Sequence, residues 1–374
     1  MNSALHQKQR IRQAASAFDS QRSSTSHTGD SLVTNILGSN LTCGIFDHFD
    51  EDGRSIADQY ADRLVLAETY DRLGFYAYHL AEHHCTPHGR SPSPNLFLSS
   101  VIQRTRRLRV GQLVMLLNLY HPLRAFEEIC MLDHLSNGRL EVGIGRGSLP
   151  MELTYFGVNA DVAPSRYEEA SQILLNAMNG GVLNYRGQHF VLDGVPLTLS
   201  PHQRPHPPTW VATNRLESAS WAAANGANLA CVGPSSVVRK VSDVFRAHEK
   251  TKRLAEGGDR FIALLRMIVI GRSEAEAYSL AAPAYERWLT SFKFLYELND
   301  LSLPANLPPT FEAAIESELC VVGTQASVRQ TVLHHLEEAG ANYLLCQPAF
   351  GNLPVDAAVN TAAAIHSEFI APEG

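Results

Sequence analysis

Asp47-His48-Phe49-Asp50-Glu51-Asp52-Gly53 follows the first apolar run of the chain, Leu41 to Phe46, and the chemistry of this turn chooses between two folds. From Leu41 onward short apolar runs alternate with helical patterns, the signature of βα units laid into a parallel sheet. Such a sheet is either open and doubly wound or closed into a barrel. An open dinucleotide-binding sheet places a glycine-rich loop at its first βα turn, where backbone N–H groups approach a pyrophosphate. This turn carries Asp47, Asp50, Glu51 and Asp52 with a single glycine, so it repels that anion. The expected fold is therefore α/β, a closed (β/α)8 TIM barrel.

Working outward, eight strands are expected at Leu41 to Phe46, Phe75 to Leu80, Leu108 to Leu117, Leu140 to Ile144, Thr209 to Ala212, Leu229 to Val232, Phe261 to Ile270 and Tyr343 to Cys346. Ile56 to Leu73 reads as a helix, with Tyr60, Leu64 and Ala67 at helical spacing and Gly74 ending it through a left-handed cap. Prolines open the next two helices, Pro94 to Thr105 and one from Pro122 that stops at Asn137-Gly138. Ser165 to Met178 follows with Ser165 as its N-cap, then Glu217 to Asn225, Val237 to His248, Ser273 to Ala282 and Ser327 to Ala339. Two stretches break the rhythm. Gly180 to Ser200 holds an antiparallel excursion at Tyr185 to Phe190, and Tyr285 to Glu318 reads as a helical insertion. The organisation expected is a tail or arm over residues 1–38 and one barrel domain over 39–374, with insertions near 180–205 and 285–318.

The chain has 374 residues, 45% of them hydrophobic and 18% charged, enough to bury a large core. A net charge of −7 argues against a nucleic-acid or anionic-membrane surface, because such binding needs clustered Lys and Arg. No apolar run approaches the ~18 to 20 residues that span a bilayer. The six cysteines form no Cys-x-x-Cys pair and no signal-type apolar segment opens the chain, so a reducing cytoplasm is expected. Residues 1–38 are rich in Ser, Gln, Thr and Arg, a composition that an organelle transit peptide shares. The partner these features favour is a small molecule.

Three segments carry candidate chemistry. Ala81-Glu82-His83-His84-Cys85-Thr86-Pro87-His88-Gly89 closes the second strand, where α/β enzymes place reacting groups. His83 suits a general base and Glu82 suits a residue that orients a neighbour, while a purely structural His-His pair is the plainer reading. His79, His83, His84, Cys85 and His88 are crowded, yet no His-Glu-x-x-His or spaced Cys/His pattern accompanies them, so no metal is expected. The second segment, Gly138 to Ser148, runs from a strand into Gly143-x-Gly145-x-Gly147, where bare backbone admits a flat ring and Arg146 either faces a phosphate or is a surface arginine in a tight turn. In the third, Trp210 to Ala219, free N–H groups with Asn214 and Ser218 make either a phosphate seat or a helix cap.

Taken in order, these motifs resemble the bacterial luciferase-like flavin monooxygenase family. The matching residues are Ala81-Glu82-His83-His84 with Thr86 and Gly89, Leu108-Arg109-Val110-Gly111 leading to His121-Pro122-Leu123-Arg124, and Leu132-Asp133-x-x-Ser136-x-Gly138-Arg139 running into Gly143-Ile144-x-Arg146-Gly147. Phe156-Gly157, Ser165-Arg166, Trp210-Val211-Ala212 and Val322-Gly323-Thr324 complete the set, which spans about residues 41 to 350. The resemblance implies a luciferase-like (β/α)8 barrel, a homodimer, and a two-component enzyme in which a separate flavin reductase delivers reduced FMN (FMNH2). That flavin reacts with O2 through a C4a-peroxyflavin to oxygenate a small, largely apolar aldehyde, ketone or similar substrate. By the same resemblance His83 is catalytic. Glu82, Leu113, Val114, Arg146, Arg166, Asn214 and Ser218 bind cofactor, Arg146 and Arg166 at the phosphate, and the Leu113-Val114 peptide is cis beneath the ring. Gly145 stands where the light-emitting members carry cysteine, so an oxygenase without light emission is expected, and Thr213 is shorter than the acid the family has there. A deazaflavin- or flavin-dependent hydride transfer on the same barrel and a non-catalytic flavin-binding subunit are the alternatives. The substrate walls are expected from Asp47 to Arg54, Cys85 to Pro94 and an apolar lid at Tyr285 to Pro309.

Overall fold

The computed structural model describes residues 41–147, 149–252 and 260–371; the tail expected over 1–38 lies outside them. In chain order the strands are β1 (Thr42–Asp47), β2 (Ala77–Leu80), β3 (Arg109–Leu116), β4 (Leu140–Gly145), β5 (Val182–Arg186), β6 (Val191–Pro196), β7 (Thr209–Ala212), β8 (Asn228–Cys231), β9 (Ile262–Ile270), β10 (Cys320–Gly323) and β11 (Tyr343–Gln347). Eight of them close on themselves in the order β1-β2-β3-β4-β7-β8-β9-β11, every pair parallel, and these are the eight read from the sequence. Their residues are buried on both faces because helices cover the outside and side chains fill the inside, which is why they read as unbroken apolar runs.

The helices are α1 (Ile56–Arg72), α2 (Pro94–Arg104), α3 (Pro122–Leu135), α4 (Pro150–Tyr155), α5 (Ala163–Met178), α6 (Leu216–Ala224), α7 (Ser235–Lys252), α8 (Glu274–Leu298), α9 (Phe311–Glu316), α10 (Gln325–Ala339) and α11 (Val355–Ile365). Gly74, at φ +75°, turns the chain out of α1 as expected. Inside the barrel Phe46, Leu113, Trp210, Ala263, Tyr343 and Leu345 pack together around a buried carboxylate. Glu141 accepts hydrogen bonds from His79 Nε2 (2.9 Å), Arg109 Nε (2.9 Å) and Trp210 Nε1 (2.7 Å). Burial pushes its carboxyl up, but the His79 and Arg109 interactions outweigh that and hold it below the usual range.

Four expectations change. Ser273 to Ala282 and the start of the expected insertion are one 25-residue helix, α8, running through Pro283. A proline inside a helix costs ~3 kcal/mol, and here the buried face of Ala277, Ala281, Ala284, Tyr285 and Trp288 offsets it by packing. Ser165 does not cap α5. The helix begins two residues earlier, with Pro164 in its first turn, and the Ser165 hydroxyl donates to Val162 O and meets His189 Nε2. The antiparallel excursion is real but displaced: β5 and β6 flank residues 187–190, which form the turn. β10 was not anticipated, since four residues after a helix give little period to read; it pairs with the second half of β9, while β11 takes the first half. Among the described residues no helix is long and apolar enough to cross a membrane.

Candidate functional site

Parallel strands in a closed barrel bring all their C-terminal ends to one mouth. His48 follows β1, Glu82 to His88 follow β2, Asn118 follows β3, Arg146 follows β4 and Asn214 follows β7. One open ring of strand ends thus holds residues scattered over more than 160 positions.

His83 is held by a residue the sequence did not announce. Its Nδ1 donates to Glu152 Oε1 (3.1 Å), and the same oxygen accepts the His84 backbone N–H (2.7 Å). Glu152, 1% exposed, lies on α4, a six-residue helix whose only sequence signal is a proline opening after the glycine-rich turn. With Nδ1–H committed, His83 Nε2 carries the lone pair, the tautomer a general base needs. Glu82 does orient a neighbour, but that neighbour is His84: Oε1 accepts from His84 Nε2 (2.9 Å) and Oε2 from the Leu116 N–H (3.0 Å). Both carboxylate oxygens are engaged by protein, so Glu82 reaches any cofactor through the end of β3 that it fixes.

The other crowded histidines separate. His79 belongs to the Glu141 network inside the barrel, and exposed Cys85 stands at φ +57°. His88, 2% exposed, donates Nδ1–H to Asp50 Oδ1 (2.8 Å), and its Nε2 is buried without a partner among the described residues. His48, from the acidic turn, joins them with its ring centroid 4.2 Å from His88 and 5.7 Å from His83. Burial holds His48 and His88 well below the usual imidazole range, so both rings are neutral at pH 7. Burial likewise raises the Asp50 carboxyl to about 6. α8 covers this group with Trp288 and Phe292, centroids 5.6 and 5.3 Å from His88, and Arg287 pairs with Glu51. The three segments expected to wall the pocket therefore meet, and Trp288 Nε1 is a buried donor without a partner among the described residues.

After β3, Asn118 touches both candidate arginines, Arg146 through its main chain and Arg166 through its side chain. Asn118 Nδ2 donates to Arg146 O (2.8 Å), and Arg166 Nε donates to Asn118 O (3.3 Å) while its guanidinium lies 4.6 Å over the Phe190 ring. No carboxylate among the described residues pairs with either guanidinium, an arrangement suited to an anion from outside the chain. Next to β4 in the barrel, β7 leads into α6, whose N-cap Arg215 makes no side-chain cap. Asn214 does not cap α6 either; it ties β7 to β8 by donating to Val232 O (2.5 Å) and accepting the Val232 N–H (3.4 Å). Ser218 lies half-buried in the first turn of α6, beside N–H groups that the helix itself leaves unmet.

The Leu113–Val114 peptide is cis, as the resemblance implied. A Cβ at Gly145 would strike the Val114 side chain, so the missing side chain on β4 is what lets Val114 sit beside it. Two guanidinium groups without a carboxylate partner among the described residues, the start of α6 and the bare Gly145 backbone beside a cis peptide are features suited to an anionic ligand with a flat ring.

Comparison with known proteins gives the same placement. The family model described as luciferase-like monooxygenase matches residues 41–343. The chain is 69% identical over 335 residues to protein y4wF of Sinorhizobium fredii, covering 90% of this chain and 98% of that one. It is 27% identical over 241 residues to the oxygenase component of the flavin-dependent trigonelline monooxygenase of Acinetobacter baylyi, covering 62% of this chain and 66% of that one. The crystal structure of monooxygenase RslO1 from Streptomyces bottropensis superposes with a TM-score of 0.79 at 26% identity, covering 88% of this chain and 98% of that one. With the closed barrel and the residues at its mouth, these matches establish that the chain belongs to the luciferase-like monooxygenase family.

Proposed function

We propose that this protein is the oxygenase of a two-component FMN-dependent monooxygenase that inserts one oxygen atom into a small, largely apolar carbonyl compound. The observation that carries the reading is the pairing, at one barrel mouth, of an imidazole with a fixed free Nε2 and two arginines lacking carboxylate partners. Reduced FMN, when bound, supplies the electrons that activate O2. Arg146 and Arg166 would hold its phosphate with charge-assisted bonds, joined by Ser218 and the N–H groups of α6. Asn214 keeps that seat in place by locking β7 to β8. Leu113 and Val114 would bear the ring, and Glu82 fixes the segment they lead into through Leu116 N–H. His83 accepts and returns a proton at Nε2, and Glu152 stabilises the imidazolium formed meanwhile. Trp288 and Phe292 cover His88 and would give the substrate an apolar wall.

The reading includes a homodimer, a separate flavin reductase that delivers FMNH2, and a cytoplasmic setting that suits six free cysteines. It also includes no light emission. The test is oxygenation of a panel of aldehydes and ketones with a generic reductase under labelled O2. Label should enter the product, and His83→Ala should bind FMNH2 as the wild type does yet form no product. Product formed anaerobically would replace the reading by hydride transfer with a flavin or deazaflavin, and absence of turnover with intact flavin binding would favour a non-catalytic subunit.

A further inference from the structure

We propose that His48, His83 and His88 form a binding site for one divalent transition-metal ion of the zinc type. The sequence points away from a metal because no His-Glu-x-x-His or spaced Cys/His pattern accompanies its histidine crowd. The fold assembles a different set, taking one ligand from the end of β1 and two from the loop after β2. One ring nitrogen from each of the three lies within 4.8 Å of the others. A tetrahedral three-histidine site places its nitrogens about 3.3 Å apart, with bonds of ~2.0 to 2.1 Å. Small χ rotations of rings whose centroids are 4.2, 5.1 and 5.7 Å apart close that difference.

The outer atoms argue more strongly than the spacing. Metal-bound histidines nearly always donate their second nitrogen to a carboxylate or carbonyl, which fixes the ring and leaves the lone pair facing the ion. His83 Nδ1 meets Glu152 (3.1 Å) and His88 Nδ1 meets Asp50 (2.8 Å), so both Nε2 lone pairs face inward. His48 Nδ1 faces the Gln347 side-chain amide at 3.2 Å, and turning that amide over presents its oxygen and frees Nε2 in the same way. His88 Nε2 is the independent sign: an acceptor on a residue 2% exposed, with no hydrogen-bond partner among the described residues. Imidazole nitrogens without thiolates suit Zn2+, Co2+ or Ni2+, and three ligands leave a fourth position open.

The test is Co2+ titration of the untagged protein without flavin, followed by its visible d–d absorption. One equivalent should bind with tetrahedral bands, and Zn2+ should displace it. His48→Gln, at a half-buried loop position, should weaken Co2+ binding at least tenfold with an unchanged circular dichroism spectrum. Asp50→Asn should weaken it ~10 to 100-fold as an outer-sphere change. No visible band, or equal binding by wild type and His48→Gln, overturns the site, since ions on surface histidines such as His334 would survive that substitution. This readout stands apart from the flavin assay, so either proposal can fail alone. Where both hold, Zn2+ occupies His83 Nε2 and blocks oxygenation, and a chelator restores it.

Discussion

Glu152→Gln separates the charge at Glu152 from its hydrogen bonds, because His83 Nδ1 and His84 N both donate to one oxygen, which the glutamine amide reproduces. A bond to a charged acceptor contributes ~1.5 to 3 kcal/mol and a neutral one ~0.5 to 1.5. Two bonds therefore weaken by about 2 kcal/mol in total, most of it felt when His83 is protonated. At ~1.36 kcal/mol per factor of ten, kcat should fall about 30-fold. Glu152→Ala removes the support altogether and should cost more, up to the ~10² to 10⁴ that general acid-base catalysis contributes. The assay is steady-state product formation, with FMNH2 affinity and melting temperature measured on the same samples, since a residue 1% exposed also carries stability. A positioning role predicts that kcat falls while FMNH2 affinity holds. Wild-type turnover by a folded Glu152→Ala protein would refute it, as would a loss of activity that tracked flavin binding alone.

Arg146→Ala and Arg166→Ala should each weaken FMNH2 binding ~10 to 100-fold, the worth of one or two charge-assisted bonds, as read by fluorescence titration. Arg166→Lys should rescue little because a lysine does not reproduce the planar stack on Phe190; unchanged affinity in both alanine variants would remove the phosphate seat from this corner. Gly145→Cys drives a side chain into Val114 and should destabilise the fold by ~1 to 3 kcal/mol, so an unshifted denaturant midpoint would show that β4 tolerates the bulk. His48 and His88 have imidazoles depressed by burial. The stability this gives is present above the unfolded value near ~6.5 and is lost as pH falls below it. Asp50, raised to about 6, works in the opposite sense, its contribution disappearing as pH rises through that value. Urea unfolding from pH 8 to 5 should lose stability less steeply in His48→Gln than in the wild type, and parallel curves would contradict the burial of a neutral ring.

Sequence alone determined the barrel and its eight strands, because a strand buried on both faces must be an apolar run and a parallel return must carry a helix. It also placed His83, Arg146 and Asn214 at strand ends, since a turn after a period-two run is local information. What it could not supply was partnership. Glu152 is 69 residues from His83, His48 is 35 residues before it, and Asn118 meets Arg166 across 48 positions, and no periodicity links such pairs. Glu82 read as a residue that orients a neighbour, and the fold shows which one: it serves His84 and the end of β3, while His83 turns to Glu152. The helix expected over Ser273 to Ala282 runs on through Pro283: the local cost of a proline is visible in sequence and the packing that offsets it is not. Tertiary structure decided which nitrogen of each histidine faces the mouth, because a tautomer is set by what lies across the barrel rather than along the chain.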